Sequence, residues 1–239
     1  MQLWSSCRTK GLEASVIGRI TTDSELSSEL RRDSILIGPA EESFSSEGFA
    51  AVLIPGEPTD VALRAPVAYS FANLDYLADG DIVSINPRGL IRTLYRRASA
   101  HNFILMTDQC NSFCLMCSQP PKPFDDHERI NEHLRVIELM DPETLQLGIT
   151  GGEPTLFGDD FLRLVNTCKD RLPKTGLHVL TNGRSFYYRE FARRLGGLLH
   201  LHQRADHVHI RAVRNLELLV IRGGFRRILT RNNEFDGFN

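Results

Sequence analysis

The sequence predicts an α/β protein in which a small β-rich domain precedes a parallel sheet built of βα units. Three observations carry this expectation. Up to about Arg97, short β-prone runs are each followed by Gly, Pro, Asp or Ser. From Asn102 to Leu199, short apolar runs alternate with stretches whose apolar residues recur at helical spacing. After Leu199 that alternation stops. The expected division is a β-rich domain over 1–98, a core of three βα units over 99–199 and an irregular tail over 200–239.

In the first part, residues 15–18, 35–37 and 50–54 read as strands. Asp79, Gly80 and Asp81 form a turn signal before a strand over 82–85. Asn86, Pro87, Arg88 and Gly89 then turn the chain back into a strand over 90–95, giving an antiparallel hairpin. Residues 21–33 fit a short helix or a loop equally well. In the second part, strands are expected over 102–107, 145–150 and 177–180, with helices over 126–139, 159–171 and 186–195. Ile130, Leu134, Val136 and Ile137 mark the inner face of the first helix, and Phe161, Leu162, Leu164 and Val165 that of the second.

Bulk composition narrows the classes of function. At 239 residues with 41% hydrophobic content, the chain can bury a full core. A net charge of −2 offers no electrostatic footprint for nucleic acid or an anionic membrane. No apolar run approaches the roughly 20 residues that span a bilayer, and residues 1–8 lack the apolar core of a signal peptide. The expected location is the cytoplasm. There, five cysteines, an odd count with three crowded into eight positions, point to metal chemistry rather than disulfides.

Those three, Cys110, Cys114 and Cys117, are spaced C-x3-C-x2-C just past the first parallel strand. Thiolates bind iron–sulfur clusters, and three of them leave one iron of a cubane open to an exchangeable ligand. Zinc is the competing occupant, with His101 and His127 near in sequence, and chance proximity of small buried residues is the plainest alternative. Cys168 reads as core and Cys7 carries no signal. One βα unit later, Gly151, Gly152, Glu153 and Pro154 follow the second strand: glycines admit close backbone approach, the carboxylate can accept from an ammonium group, and proline stiffens the turn. Thr181, Asn182 and Gly183 follow the third strand and offer side-chain donors and acceptors suited to ribose hydroxyls.

Together, the cysteine triad, the Gly-Gly-Glu-Pro run and the Thr-Asn-Gly turn resemble the radical SAM superfamily over about residues 102–199. The resemblance implies a partial (β/α) barrel and a 4Fe–4S cluster on Cys110, Cys114 and Cys117, with S-adenosylmethionine on its open iron. It also implies that Gly151, Gly152, Glu153 and Pro154 lie near the methionyl amine, and Thr181 and Asn182 near the ribose or carboxylate. Met116 stands where many members carry an aromatic residue against the adenine. The wording of residues 106–111 and 114–122 is similar to the His-Xaa-Ser system radical SAM maturase family, HxsC. That similarity implies modification of a peptide or protein with His-Xaa-Ser repeats, a companion radical SAM maturase, and an electron donor such as flavodoxin or ferredoxin.

A complete core of this kind needs six βα units, and the sequence offers three. The reading that follows is a C-terminally truncated chain whose Arg-rich, Lys-free tail is out of frame. The alternative is a tail that completes a smaller sheet or pairs with another subunit. His200, His202, His207 and His209 recur every second residue within each pair, but nothing completes them as a metal site. The rival to an enzyme is a non-catalytic protein that keeps the loop as a cluster- or zinc-binding module.

Overall fold

The computed structural model describes residues 3–38, 45–57, 64–115, 117, 120–200, 208–212, 219–220, 229–230 and 233–234. The chain divides into two units, 1–99 with 139–141, and 100–138 with 142–239.

The first unit holds β1 (Trp4–Ser6), β2 (Arg8–Lys10), β3 (Val16–Thr21), α1 (Ser28–Arg31), β4 (Ser34–Ile37), β5 (Ala51–Ile54), β6 (Val67–Tyr69), β7 (Ile82–Ile85) and β8 (Leu90–Tyr95). These strands form one sheet in the order β1-β8-β7-β3-β4-β5-β6-β2. Between β7 and β8 the expected hairpin is present, with Val83 opposite Thr93 and Ile85 opposite Ile91. Its turn is closed by Asn86, whose carbonyl accepts from Gly89 N–H and whose side chain accepts from Leu90 N–H, both at 3.0 Å. Gly89 adopts φ +80°, and a Cβ there would run into the Cys7 carbonyl, so both backbone and space demand glycine. The undecided segment before Asp33 contains the one-turn α1.

The pairs β3/β4, β4/β5 and β5/β6 are parallel, an arrangement the short strand signals did not reveal. All four residues of β5 are buried. Ala51 and Leu53 pack in one apolar cluster with Ile35 and Ala68, while Val52 and Ile54 pack in another with Leu36 and Val67. A strand covered on both faces loses the alternation of polar and apolar residues, as β5 does. Asp81, only 1% exposed, accepts from the Ala78 and Arg97 amides and pairs with Arg96 at 3.4 Å, which accounts for its burial.

The second unit runs β9 (His101–Leu105), α2 (Arg129–Leu139), β10 (Gln146–Thr150), α3 (Asp159–Arg171), β11 (Gly176–Thr181), α4 (Arg189–His200), β12 (Val208–Ala212) and β13 (Leu219–Val220), followed by a short pair β14 (Leu229–Thr230) and β15 (Asn233–Glu234). The strands β9 to β12 are parallel and adjacent in chain order, and β13 closes the far edge antiparallel to β12. Ile104, Ile149, Val179 and Ile210 stand in one cross-strand row. Ile130, Leu134, Val136 and Ile137 of α2 are buried as their spacing predicts, and so are Phe161, Leu162, Leu164 and Val165 of α3. Asp159 and Asp160 in the first turn of α3, with Lys169 and Arg171 in its last, match the helix dipole at both ends.

The sheet is open: among the described residues there is no closed barrel, since the five strands end in an antiparallel edge rather than returning to β9. The sheet also does not stop at three strands. Val208–Ala212 pairs with β11 over five positions, so the irregular tail contributes a fourth parallel strand. Residues 208–213 alternate like a strand in the sequence, and hydrogen bonding along β11 fixes where residues 208–212 pair. No helix among the described residues is long and apolar enough to cross a membrane.

Candidate metal and cofactor site

Parallel strands bring the loops that follow β9, β10 and β11 to one edge of the sheet, the edge where open α/β sheets bind ligands. The loop after β9 carries the three cysteines. Its base is fixed by Asp126, 3% exposed. The Asp126 carboxylate accepts from Thr107 Oγ1 and from the Asp108 amide, each at 2.7 Å, and lies 3.2 Å from Arg129 Nη1. Burial alone would raise this carboxyl's pKa, but the Asp108 N–H, the Thr107 hydroxyl and the Arg129 charge outweigh it and hold the group below its ordinary range. Asp108 in turn receives Lys122 N–H on its carbonyl at 3.0 Å and Arg129 Nη1 on its carboxylate at 3.2 Å. Both ends of the cysteine loop are therefore tied to one buried polar cluster.

Within that loop Cys110 and Cys114 are half-buried and Cys117 is exposed. Cys117 N–H donates to the Cys114 carbonyl at 3.1 Å, forming a single tight turn. None of the five cysteines is in a disulfide. Among the described residues no group of three His, Cys, Asp or Glu side chains is gathered closely enough to hold a metal ion. Fit to a cluster rests on donor chemistry: three accessible thiols on one anchored loop are the soft ligands that iron–sulfur clusters take. His127 is engaged elsewhere, 2.7 Å from Asp160 and stacked on Phe157 at 4.3 Å between ring centroids.

The loop after β10 is joined to the cysteine loop through its backbone. Gly152 N–H donates to the Thr107 carbonyl at 2.7 Å and Glu153 N–H to the Gln109 carbonyl at 2.8 Å. Close approach is what the glycines allow, and in this structure the approaching group is the cysteine loop itself. A Cβ on Gly152 would collide with the Gln109 carbonyl, and one on Gly151, at φ +152°, would lie 2.5 Å from the Thr107 carbonyl oxygen. Gly152→Ala is accordingly expected to cost about 1–3 kcal/mol, since backbone rather than a yielding side chain must move. Chemical denaturation of the purified protein measures this directly.

Glu153 is fully buried and caps the short 3-10 turn Pro154–Phe157, with Pro154 at its first position. Its Oε1 accepts from Thr155 N–H at 3.1 Å, Thr155 Oγ1 at 2.5 Å and Thr181 Oγ1 at 2.6 Å, and its Oε2 from Asn182 N–H at 2.5 Å. Thr155 gives its one proton to Glu153, so at 2.6 Å Ser185 donates to Thr155. Glu153 thus binds the loop after β10 to the loop after β11.

The third loop closes the circuit. Asn182 Nδ2 lies 2.7 Å from Asn111 Oδ1, 3.3 Å from Ser112 Oγ and 3.8 Å from Cys110 Sγ. Arg184 Nη1 donates to the Asn111 carbonyl at 2.6 Å. Gly183, at φ +76°, makes the turn between them. The structure brings the loops holding Cys110, Cys114, Cys117, Gly151, Gly152, Glu153, Pro154, Thr181 and Asn182 together. Met116 lies outside the described residues, as do His202 and His207; His209 falls in β12 and His200 ends α4. Sequence reasoning missed Thr107, Asp126, Thr155, Ser185 and Arg184, which act by holding loops. Only Asp126, an acidic residue just ahead of a helix, left a local signal.

The two remaining cysteines behave differently. Burial pushes the Cys168 thiol up to about 12 and the Cys7 thiol up to about 11. At pH 8 the Cys168 thiolate is then about one part in ten thousand, so iodoacetamide should spare it in the native protein and label it after unfolding. Both folded pKa values lie above the unfolded one. Their stabilising contribution is complete below the unfolded thiol pKa and is lost as pH rises toward 11 and 12. Mass spectrometry of peptides labelled before and after denaturation checks the first point.

Three thiols on an anchored loop at the carboxyl edge of a parallel sheet define an α/β protein with a candidate cluster site. Residues 104–213 match the family model of the Radical SAM superfamily, a span from within β9 to just beyond β12, and this supports placing the chain in that superfamily. Superfamily members are generally enzymes that use a 4Fe–4S cluster and S-adenosylmethionine. No curated protein and no solved structure matches the chain.

Proposed function

We propose that this chain is a radical SAM enzyme that holds a 4Fe–4S cluster on Cys110, Cys114 and Cys117 and modifies a peptide or protein substrate. The observation that carries the proposal is the joining of three strand-end loops. The thiol loop, the Gly151–Gly152 backbone and the Thr181–Asn182 turn are hydrogen-bonded to one another inside the segment that matches the superfamily. Cys110, Cys114 and Cys117 would hold the cluster, and the chemistry it would supply there is one-electron reductive cleavage of S-adenosylmethionine for hydrogen abstraction from the substrate.

This chain's own residues bind and orient. The methionyl end of S-adenosylmethionine is assigned to the edge formed by Gly151, Gly152, Glu153 and Pro154, its ribose or carboxylate to Thr181 and Asn182, and its adenine to the side of Met116. Glu153 serves that edge from beneath, fixing the Asn182 backbone from a fully buried position. The wording of residues 106–111 and 114–122, similar to HxsC, favours a His-Xaa-Ser repeat protein as substrate, a companion maturase, and flavodoxin or ferredoxin as electron donor; the cytoplasm is the location assigned from composition.

Anaerobic reconstitution with iron and sulfide tests the reading. Formation of 5′-deoxyadenosine from S-adenosylmethionine under dithionite supports it, and a loaded cluster that yields none contradicts it. The second reading is a non-catalytic cluster- or zinc-binding protein derived from such an enzyme. The observation favouring it is the open sheet, whose five strands among the described residues do not close into a barrel around the site. It predicts stoichiometric zinc and no visible charge-transfer absorption.

A further inference from the structure

Asn182 is held in one orientation. Its N–H is bound by buried Glu153 at 2.5 Å, and its Oδ1 accepts from Arg184 N–H at 3.0 Å. With Oδ1 so committed, the amide cannot be flipped, and both N–H bonds of Nδ2 face the cysteine loop. One goes to Asn111 Oδ1 at 2.7 Å. The second is left for Ser112 Oγ at 3.3 Å and Cys110 Sγ at 3.8 Å, the latter within the reach of a sulfur acceptor.

We propose that Asn182 donates this second N–H to the Cys110 thiolate and so raises the reduction potential of the cluster, an inference that rests on the cluster reading above. A metal-bound thiolate carries negative charge and is a better acceptor than the neutral Ser112 hydroxyl. Reduction adds one more negative charge to the cluster, so a donor aimed at its sulfur stabilises the reduced form more than the oxidised form. Hydrogen bonds to ligand sulfurs are an established lever on such potentials. Asn182 is here a positioning and tuning residue, held by the chain Glu153, Asn182, Cys110 across all three loops.

The test uses the reconstituted full chain without S-adenosylmethionine, titrated with dithionite and followed by EPR. Asn182→Leu keeps nearly the size of the side chain and removes both donors without adding a charge, so its midpoint potential should fall below that of the unaltered protein. Ser112→Ala frees the second N–H for sulfur, so its potential should stay level or rise. An Asn182→Leu potential equal to that of the unaltered protein overturns the proposal, as does an equal fall in both variants. A measurement independent of any variant uses protein with asparagine labelled with nitrogen-15 in the side chain. Pulsed EPR of the reduced cluster should then show a weak coupling that changes with the label, and its absence overturns the proposal. Failure of the unaltered protein to load any cluster overturns the functional reading itself, which separates the two outcomes.

Discussion

Cys114→Ala is expected to lose the cluster and, with it, all 5′-deoxyadenosine formation. Two thiolates remain after this change, and among the described residues neither of the other candidates replaces the third: Cys168 is buried with its thiol raised to about 12, and His127 is committed to Asp160. Changes to residues outside the ligand set of metal sites commonly cost about 10–100-fold in affinity, so removing a ligand should exceed that range. Iron and acid-labile sulfide per chain, measured after anaerobic reconstitution, should drop to background. The loop is tied down by Asp126 and by the Gly152 and Glu153 amides, none of which involves Cys114. Thermal unfolding of the cluster-free variant should therefore match that of the cluster-free parent. Retention of a full cluster by Cys114→Ala would contradict the ligand assignment.

Glu153→Ala should have the largest effect on stability. The carboxylate is fully buried and receives four hydrogen bonds, from Thr155 N–H, Thr155 Oγ1, Thr181 Oγ1 and Asn182 N–H. Each buried donor left without a partner costs about 1–3 kcal/mol, and the two hydroxyls can rotate to find others while the two amides cannot. A loss of at least about 3 kcal/mol is expected, a large part of the total for a domain of this size. Glu153→Gln keeps the volume but turns an NH2 toward at least one of the same donors, so it should fall between alanine and the parent. Denaturant unfolding of the three cluster-free proteins gives the order. A Glu153→Ala protein as stable as its parent would show that the carboxylate does not hold the two loops together.

The elements of the second unit were readable because each obeys a local rule. The apolar spacing of α2 and α3 marks faces that are buried, and the runs over 102–107, 145–150 and 177–180 overlap the strands β9, β10 and β11. β12 was harder: its alternating pattern is visible, but its place as a parallel neighbour of β11 depends on pairing with a strand about 30 residues away. In the first unit the β7/β8 hairpin could be seen through its turn, whereas the parallel pairing of β3, β4, β5 and β6 could not, since no short-range signal encodes a crossover. At the site, Cys110, Cys114, Cys117 and the two later loops stood out by residue type. Thr155 and Ser185 did not, because a hydroxyl that bridges two loops resembles any surface hydroxyl until the loops meet.

By itself, then, the sequence determined which loops carry the chemistry: thiols after β9, glycines and a carboxylate after β10, an amide after β11. Residue type and spacing along one strand-to-helix unit are local properties, and the chain states them directly. Tertiary structure decided what those residues do for one another. Gly151 and Gly152 admit the cysteine loop's backbone, Glu153 turns inward to the Thr181–Asn182 turn, and Asn182 reaches back to Cys110. Each of these contacts joins residues about 30 to 70 positions apart, and parallel pairing of β9, β10 and β11 is what places their ends side by side. Distance in the chain hides such contacts, because they exist only once the sheet has formed.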